Sequence, residues 1–342
     1  MSNEWEIFKL QIAALCGLLF LSLAVTWIIL YYVRLLDHPN ERSSHELATP
    51  KCGGVGIVTS FIAGVYLSQL WGTKCLIHPM ILYAFIIPVL LVATVSLADD
   101  IQELSPKFRL GVQIAAALLF LGMTGFGHNS NTIITALLLQ GLLWLGAILW
   151  IVGMANSFNF MDGIDGLAAG QGLVVSFFFA VIHFGQGDCY LGFISSVLLV
   201  GCLGFLAFNF PPAKVFMGDV GSVSIGFILA IMAVLAFSRD YSLQNLIIMP
   251  LLMANFLFDT ITTFIRRLIK KEPLLQPHRT HLYQKFASCG FSQRTVTMTN
   301  YGMATIQGLI ILLLGEKIMF AIIGCIGLQL LYAGMVQKLS KR

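Results

Sequence analysis

The sequence predicts an all-α polytopic membrane protein, with about eleven transmembrane helices in a single bundle. Three observations predict it. Hydrophobic residues make up 58% of the 342 and charged residues only 11%, against roughly 25% charged in a soluble domain. The apolar residues fall in runs of about 20, the length that crosses a bilayer as a helix. Short polar segments separate the runs, so the first partner implied is the lipid bilayer, and no nucleic-acid partner is expected.

Taken in order, the candidate spans are 8–33, 54–71, 79–97, 109–126, 132–152, 166–184, 190–209, 221–237, 243–269, 297–314 and 317–337. The first apolar run follows Glu4 and Glu6 rather than a basic stretch. It is too long for a signal peptide's apolar region and reads as a retained helix. Several connections are very short, which favours one domain over 1–342, with 270–296 as a long polar loop within it. The 7 cysteines form no paired CxxC or CxxH spacing. Most lie in apolar runs, as small buried thiols do.

Eleven spans place the termini on opposite sides. With the loop after the first span in the cytoplasm, all of the 20 Lys and Arg residues except Lys9, Lys74, Arg239 and Lys317 fall on that side. That asymmetry is the positive-inside pattern. The C-terminus is therefore expected in the cytoplasm and the N-terminus in the periplasm. The same arrangement gathers the polar segments 34–53, 98–109, 153–166, 209–221 and 270–296 on the cytoplasmic face. A transporter or flippase, the alternative of a different class, needs polar groups near mid-membrane and access from both sides. Chemistry collected at one face favours an enzyme with its active site there.

The densest polar cluster is Asn156-Ser-Phe-Asn-Phe-Met-Asp-Gly-Ile-Asp-Gly-Leu-Ala168. Two amides, Asn156 and Asn159, and two carboxylates, Asp162 and Asp165, recur at spacings of three. A helix cap and turn glycines explain one or two of these positions. Four polar groups packed together beside a bilayer point to bound phosphate and metal. Asp99-Asp100 ends another apolar run, and adjacent carboxylates need a cation, a proton or solvent. An isolated pair is equally a solvated helix end. Glu103, Lys107 and Arg109 tilt it toward a mixed-charge phosphate site, where basic groups hold phosphate and carboxylates hold metal.

Phe216-Met-Gly-Asp-Val-Gly-Ser222 precedes the eighth span. Its glycines permit close backbone approach, and the free N–H groups of a helix start suit a phosphate. Asp219 is either a cap or a Mg²⁺ ligand, and Phe216 either stacks on a base or is an interface aromatic. In the last loop, Pro277-His-Arg-Thr-His-Leu-Tyr-Gln284 lacks a further Cys or His to complete a structural zinc site. His278, Arg279 and His281 read instead as an anion clamp. The first loop carries Asp37-His-Pro-Asn-Glu-Arg-Ser-Ser-His45 and then Ala48-Thr-Pro-Lys-Cys-Gly-Gly-Val-Gly56, with glycines at a helix entrance.

In this order the five segments resemble the polyprenyl-phosphate N-acetylhexosamine-1-phosphate transferases. The matching pieces are His45…Thr49-Pro50…Gly53-Gly54, then Asp99-Asp100…Lys107, then Asn156-x-x-Asn159-x-x-Asp162-Gly-x-Asp165-Gly-Leu-Ala. Phe216-Met-Gly-Asp219-x-Gly-Ser222 and the loop from His278 to His281 complete a match to essentially the whole chain. The resemblance implies transfer of HexNAc-1-phosphate from a UDP-N-acetylhexosamine to undecaprenyl phosphate, giving undecaprenyl-diphosphate-HexNAc and UMP. The lipid phosphate would attack the β-phosphorus.

The resemblance also assigns roles. Asn156 and Asp219 would hold Mg²⁺, with Mn²⁺ as a substitute. Asp99, Asp100 and Asp219 would be catalytic, one of the Asp99-Asp100 pair taking the proton of the lipid phosphate. Asp162, Asp165 and Phe216 would hold the uridine, and His278, Arg279 and His281 the sugar and diphosphate. His45, Thr49, Lys107 and Asn159 would be further substrate contacts. A homodimer in a bacterial inner membrane, priming O-antigen or another surface glycan, completes the implied picture.

One departure bears on the sugar. Relatives often carry a His pair where this chain has Tyr283-Gln284. The His-Arg-x-His-x-Tyr-Gln pattern is similar to the branch that primes O-antigen with 6-deoxy-HexNAc sugars, beside plain GlcNAc. The peptidoglycan phospho-MurNAc-pentapeptide translocase fits that pattern less well. A CDP-alcohol phosphatidyltransferase would need Arg after Ala168, where the chain has Ala-Gly-Gln.

Overall fold

A computed structural model describes residues 2–33, 35–37, 48–70, 79–127, 133–273, 279–315 and 317–341 of the chain. The described residues of each of the eleven apolar segments are mainly helical. The helices are α1 (Ser2–Tyr32), α2 (Val55–Leu67), α3 (Pro79–Ile101), α4 (Pro106–Thr124), α5 (Ile133–Met161), α6 (Leu167–Gly185) and α7 (Cys189–Asn209). They continue with α8 (Asp219–Asp240), α9 (Leu243–Leu252), α10 (Ala254–Ile269), α11 (Leu282–Ser288), α12 (Gln293–Leu314) and α13 (Ile318–Leu339).

Among the described residues 9 helices are long and apolar enough to cross a membrane, and 10 spans result if the bent pair α9–α10 is one of them. Helix α2 has 13 residues. At 1.5 Å per residue it covers about two thirds of a hydrocarbon core roughly 30 Å thick. Helices α9 and α10 meet at 76°. Pro250 lies inside α9, where it donates no hydrogen bond and crowds the carbonyl one turn earlier. The chain breaks at Met253, and the predicted span 243–269 becomes two pieces.

Helix α10 is amphipathic with its polar side inward. Asn255, Asp259, Thr263 and Arg267, four residues apart, are buried, while Ile261, Phe264, Ile265 and Leu268 are exposed. Lipid as solvent requires that arrangement. Helix α8 is buried from Val220 to Ala236. It is apolar all round, as a central helix must be, and it packs against α2, α3, α5 and α9.

The start of α2 is pressed onto the start of α8. A Cβ on Gly221 would lie 2.9 Å from the Gly54 Cα, so this crossing requires glycine. Strands β1 (Leu36–Asp37) and β2 (Thr49–Pro50) pair antiparallel just before it. The Phe216 N–H then donates to Pro50 O at 2.8 Å, and the Gly53 and Gly54 N–H groups donate to the carbonyls of Phe216 and Met217 at 2.9 Å each. The turns α3–α4, α5–α6 and α7–α8 meet at this end of the bundle. The described residues of the five polar motifs lie on or beside them.

Candidate active site

Asp99 and Asp100 form the last turn of α3. Neighbours on a helix diverge by about 100°, and the two carboxylates do different work. Asp99 accepts the Leu104 N–H at 2.7 Å and Arg109 Nη1 at 2.5 Å. Asp100 turns toward α8 and accepts the N–H groups of Asp219 and Val220 at 3.0 Å each. The first N–H groups of a helix have no partner within it. A carboxylate there satisfies them and gains from the positive end of the helix dipole. Burial, and next the Asp100 charge, push the Cys52 thiol up to about 12. The Cys52 thiol is therefore protonated at neutral pH.

Arg109 joins the two helices. Its Nη1 reaches Asp99 Oδ2 and, at 2.8 Å, Asp219 Oδ2. Helix α4 begins with Ser105 as N-cap, accepting the Phe108 N–H, and Pro106 in the first turn. That start fixes the helical phase. Lys107 and Arg109 are two residues, about 200°, apart, so only one of them faces the carboxylates. Arg109 does, and Lys107 is exposed.

On α5, Asn159 Nδ2 donates to Asp219 Oδ1 at 2.8 Å and to Ser222 Oγ at 3.1 Å. One turn earlier, Asn156 Nδ2 donates to Gln113 Oε1 at 2.6 Å and to Val152 O at 2.8 Å. Both amide hydrogens are thus engaged, and the Asn156 oxygen is the end left to act as a ligand. Asp162 lies one residue beyond α5. Burial, followed by the charges of Asp219, Asp100 and Asp165, pushes its carboxyl well above the usual carboxylate range.

Asp165 and the neighbouring backbone hold a loop in place. Asp165 Oδ2 accepts the Ala213 N–H at 2.8 Å. Asn209 accepts the Gly166 N–H at 3.0 Å and donates to Val215 O at 2.8 Å. From α12, Gln293 accepts the Asp165 N–H at 3.1 Å, and Thr297 and Tyr301 donate to the carbonyls of residues 165 and 166. The result fixes the segment 211–218, which carries Phe216 and leads into Asp219. Phe216 is half-buried, and Thr49 lies in the neighbouring strand β2.

The loop before α11 is organised by a residue that motif reading missed. Asp259 of α10 accepts the Leu282 N–H at 2.8 Å and the Tyr283 N–H at 3.1 Å, and its Oδ1 lies 3.0 Å from His281 Nδ1. Tyr283 is fully buried and its Oη donates to Phe160 O at 3.2 Å. Gln284 accepts the His281 N–H at 3.3 Å. The residues that depart from the His pair therefore do structural work, Tyr283 in the core and Gln284 at a cap. Arg279 is exposed, and His45 and His278 lie outside the described residues.

One network thus joins Asp99, Asp100, Asn159 and Asp219, with Asn156 one turn away. Arg109, Gln113, Asn209, Ser222 and Asp259 complete the site and carry roles that the motifs did not assign. Among the described residues no three His, Cys, Asp or Glu side chains converge as a preformed metal site. The donor set still suits Mg²⁺. That ion is commonly held by one or two protein oxygens, with substrate phosphates and water supplying the rest. Asn156 and Asp219 offer those oxygens, and the Arg109 guanidinium already lies between two carboxylates as a cation.

Comparison with known proteins places the chain in a family. The chain is 31% identical over 269 residues to the probable undecaprenyl-phosphate N-acetylglucosaminyl 1-phosphate transferase of Bacillus subtilis, covering 78% of this chain and 73% of that protein. The family model of glycosyl transferase family 4 matches residues 82–237. The chain belongs to glycosyl transferase family 4. Among other members, the decaprenyl-phosphate N-acetylglucosaminephosphotransferase of Mycobacterium leprae is 29% identical over 77% of this chain and 73% of its own length. A phospho-N-acetylmuramoyl-pentapeptide-transferase of Latilactobacillus sakei is 31% identical, over 57% of this chain and 63% of its own. The family-4 match runs from within α3 to within α8 and so includes Asp99, Asp100, Arg109, Asn156, Asn159 and Asp219.

Proposed function

We propose that this chain transfers GlcNAc-1-phosphate from UDP-GlcNAc to undecaprenyl phosphate, releasing UMP. A phosphate oxygen of the lipid bonds to the β-phosphorus, and the bond from that phosphorus to the oxygen bridging to the α-phosphorus breaks. That oxygen leaves on UMP. The observation that carries the reading is the cross-helix network, with Arg109 between Asp99 and Asp219 and Asp100 fastened to the start of α8. It sets cationic and anionic groups side by side at the ends of apolar helices, where a lipid phosphate meets a soluble nucleotide. The names of the relatives from Bacillus subtilis and Mycobacterium leprae support the same reaction and GlcNAc as the sugar.

The chain's residues supply charge and position. Arg109 offsets the phosphate oxygens of the donor while keeping Asp99 and Asp219 in register. Asn156 and Asp219 would hold Mg²⁺, or Mn²⁺ in its place, and the bound ion withdraws charge from the diphosphate. A phosphate monoester has a second pKa of about 6, so the lipid nucleophile is already largely ionised at neutral pH. The Asp99–Asp100 pair is needed more for orientation than for proton removal. Asp162 and Phe216 flank the nucleotide in this reading, and Asp165 acts on it through the 211–218 loop. Because Tyr283 and Gln284 are turned to structure, the departure at these two positions lends no support to a 6-deoxy sugar.

Priming of O-antigen or another surface glycan from a bacterial inner membrane, as a homodimer with the site in the cytoplasm, follows from the same reading. The buried polar pair Gln171 and Asn255 in the membrane bond each other at 2.9 and 2.8 Å. Such mutual satisfaction does not favour a transport path. The test uses purified protein, undecaprenyl phosphate and a panel of UDP-sugars. UMP release is expected with UDP-GlcNAc, abolished by EDTA and restored by Mg²⁺. No UMP with any sugar overturns the transferase reading and leaves the flippase.

A further inference from the structure

We propose that Asp259 is a positioning residue, which fixes the His281 ring and the 281–283 turn against the end of α5. The inference rests on the transferase reading above. Asp259 lies in the middle of α10 and is 2% exposed. A carboxylate inside an apolar span is costly unless its oxygens are fully engaged. Here they are. Oδ1 accepts from Leu282 N, His281 Nδ1 and Thr263 Oγ1, and Oδ2 accepts from Tyr283 N. The N-cap residue and the first two residues of α11 thus converge on one side chain of α10.

An ionised carboxylate only accepts hydrogen bonds. Nδ1 of His281 must therefore carry the proton, which fixes both the tautomer and the orientation of the ring. The ring stacks on Phe160, with centroids 6.4 Å apart at 29°, and on Tyr283, at 5.9 Å and 27°. Tyr283 Oη in turn donates to Phe160 O. Phe160 follows Asn159, the residue that holds Asp219 and Ser222. A continuous chain of contacts therefore runs from Asp259 through His281 and Tyr283 to Asn159 and Asp219. The basic residues two turns further along α10 are engaged elsewhere. Arg266 donates to Thr280 O, and Arg267 pairs with Pro273 O and Glu272.

The test uses full-length protein with Asp259→Asn, His281→Asn and the double variant. Asn keeps the shape but offers one acceptor in place of two. The expected result for Asp259→Asn is a loss of about 100-fold in kcat/KM. KM for the UDP-sugar should rise more than KM for the lipid. The double variant should be no worse than the poorer single one, because both remove the same coupling. Full additivity, or activity of Asp259→Asn within about threefold of wild type, overturns the proposal.

A second measurement needs no variant at Asp259. The ¹⁵N spectrum of the wild-type histidines, assigned at position 281 by subtracting His281→Asn, should show a proton on Nδ1. A proton on Nε2 alone in the neutral ring overturns the proposal even where Asp259→Asn does not fold. Failure of the wild type to release UMP would sink the transferase reading and leave this spectrum as the measure of the clamp.

Discussion

Replacing Gly218 by Ala tests the central geometry without touching a charged group. Gly218 precedes α8 with φ 73 and ψ 170, a region essentially restricted to glycine, where another residue costs about 1–3 kcal/mol. A Cβ there would lie 2.6 Å from Asp100 Oδ2 and 3.0 Å from both Oδ1 and Cγ. The methyl group would meet the carboxylate that caps α8. Losing the two bonds from Asp219 N and Val220 N costs about 1.5–3 kcal/mol each, since the acceptor is charged. Together these come to about 4–9 kcal/mol if nothing moves. That exceeds what a local shift of the turn would cost, so the turn yields, and Asp219 moves with it. A displacement of about 1 Å at the reacting centre lowers turnover by roughly 100-fold.

The assay is UMP release by the purified variant beside its thermal midpoint in the same detergent. Gly153→Ala on α5 is the control. It is exposed and a Cβ there meets nothing within 4 Å, so it should gain about 0.5–1 kcal/mol of helix stability and keep its activity. If Gly218→Ala worked as well as Gly153→Ala, the Asp100 cap would have no part in the chemistry.

Arg109→Ala should lower UMP release by at least about 100-fold, because Asp99 and Asp219 lose their shared cation. The exposed Lys107→Ala should stay within about twofold, and the reverse order would show that the phase of α4 has been misread. Asp162 predicts a pH effect. Its carboxyl is raised by burial and by neighbouring carboxylates, so the folded state favours the proton. Its contribution to stability is present below the ordinary carboxylate range and is lost as pH rises through the raised value. Asp162→Asn should therefore melt higher than wild type at neutral pH, and the gap should close in acid. An Asn variant that melts lower at neutral pH would contradict the shift.

The helices were legible in the sequence because lipid imposes a single length and polarity on every crossing segment. The same averaging hid the exceptions. One run, 243–269, reads as a single span because a hydropathy window dilutes Pro250 and one Asp among many apolar residues. Asn255, Asp259, Thr263 and Arg267 stand four apart in that run, and this period carried the signal of an inward polar face. The five motifs were legible because polar groups at a lipid boundary are anomalous in any register.

What the motifs could not divide was labour within each one. Asp99 and Asp100 differ only in helical phase, and so do Lys107 and Arg109. Phase is local, but which face is inward depends on where α8 lies, and its Asp219 is 110 residues beyond Arg109. Asp165 shows the same limit. In sequence it is the twin of Asp162, three residues away. In the structure Asp165 is fixed by the Ala213 N–H, whereas Asp162 sits among the charges of Asp219, Asp100 and Asp165. The two roles are separable by substitution. Asp165→Asn should loosen the 211–218 loop and lower the melting midpoint, the opposite sign to Asp162→Asn at neutral pH.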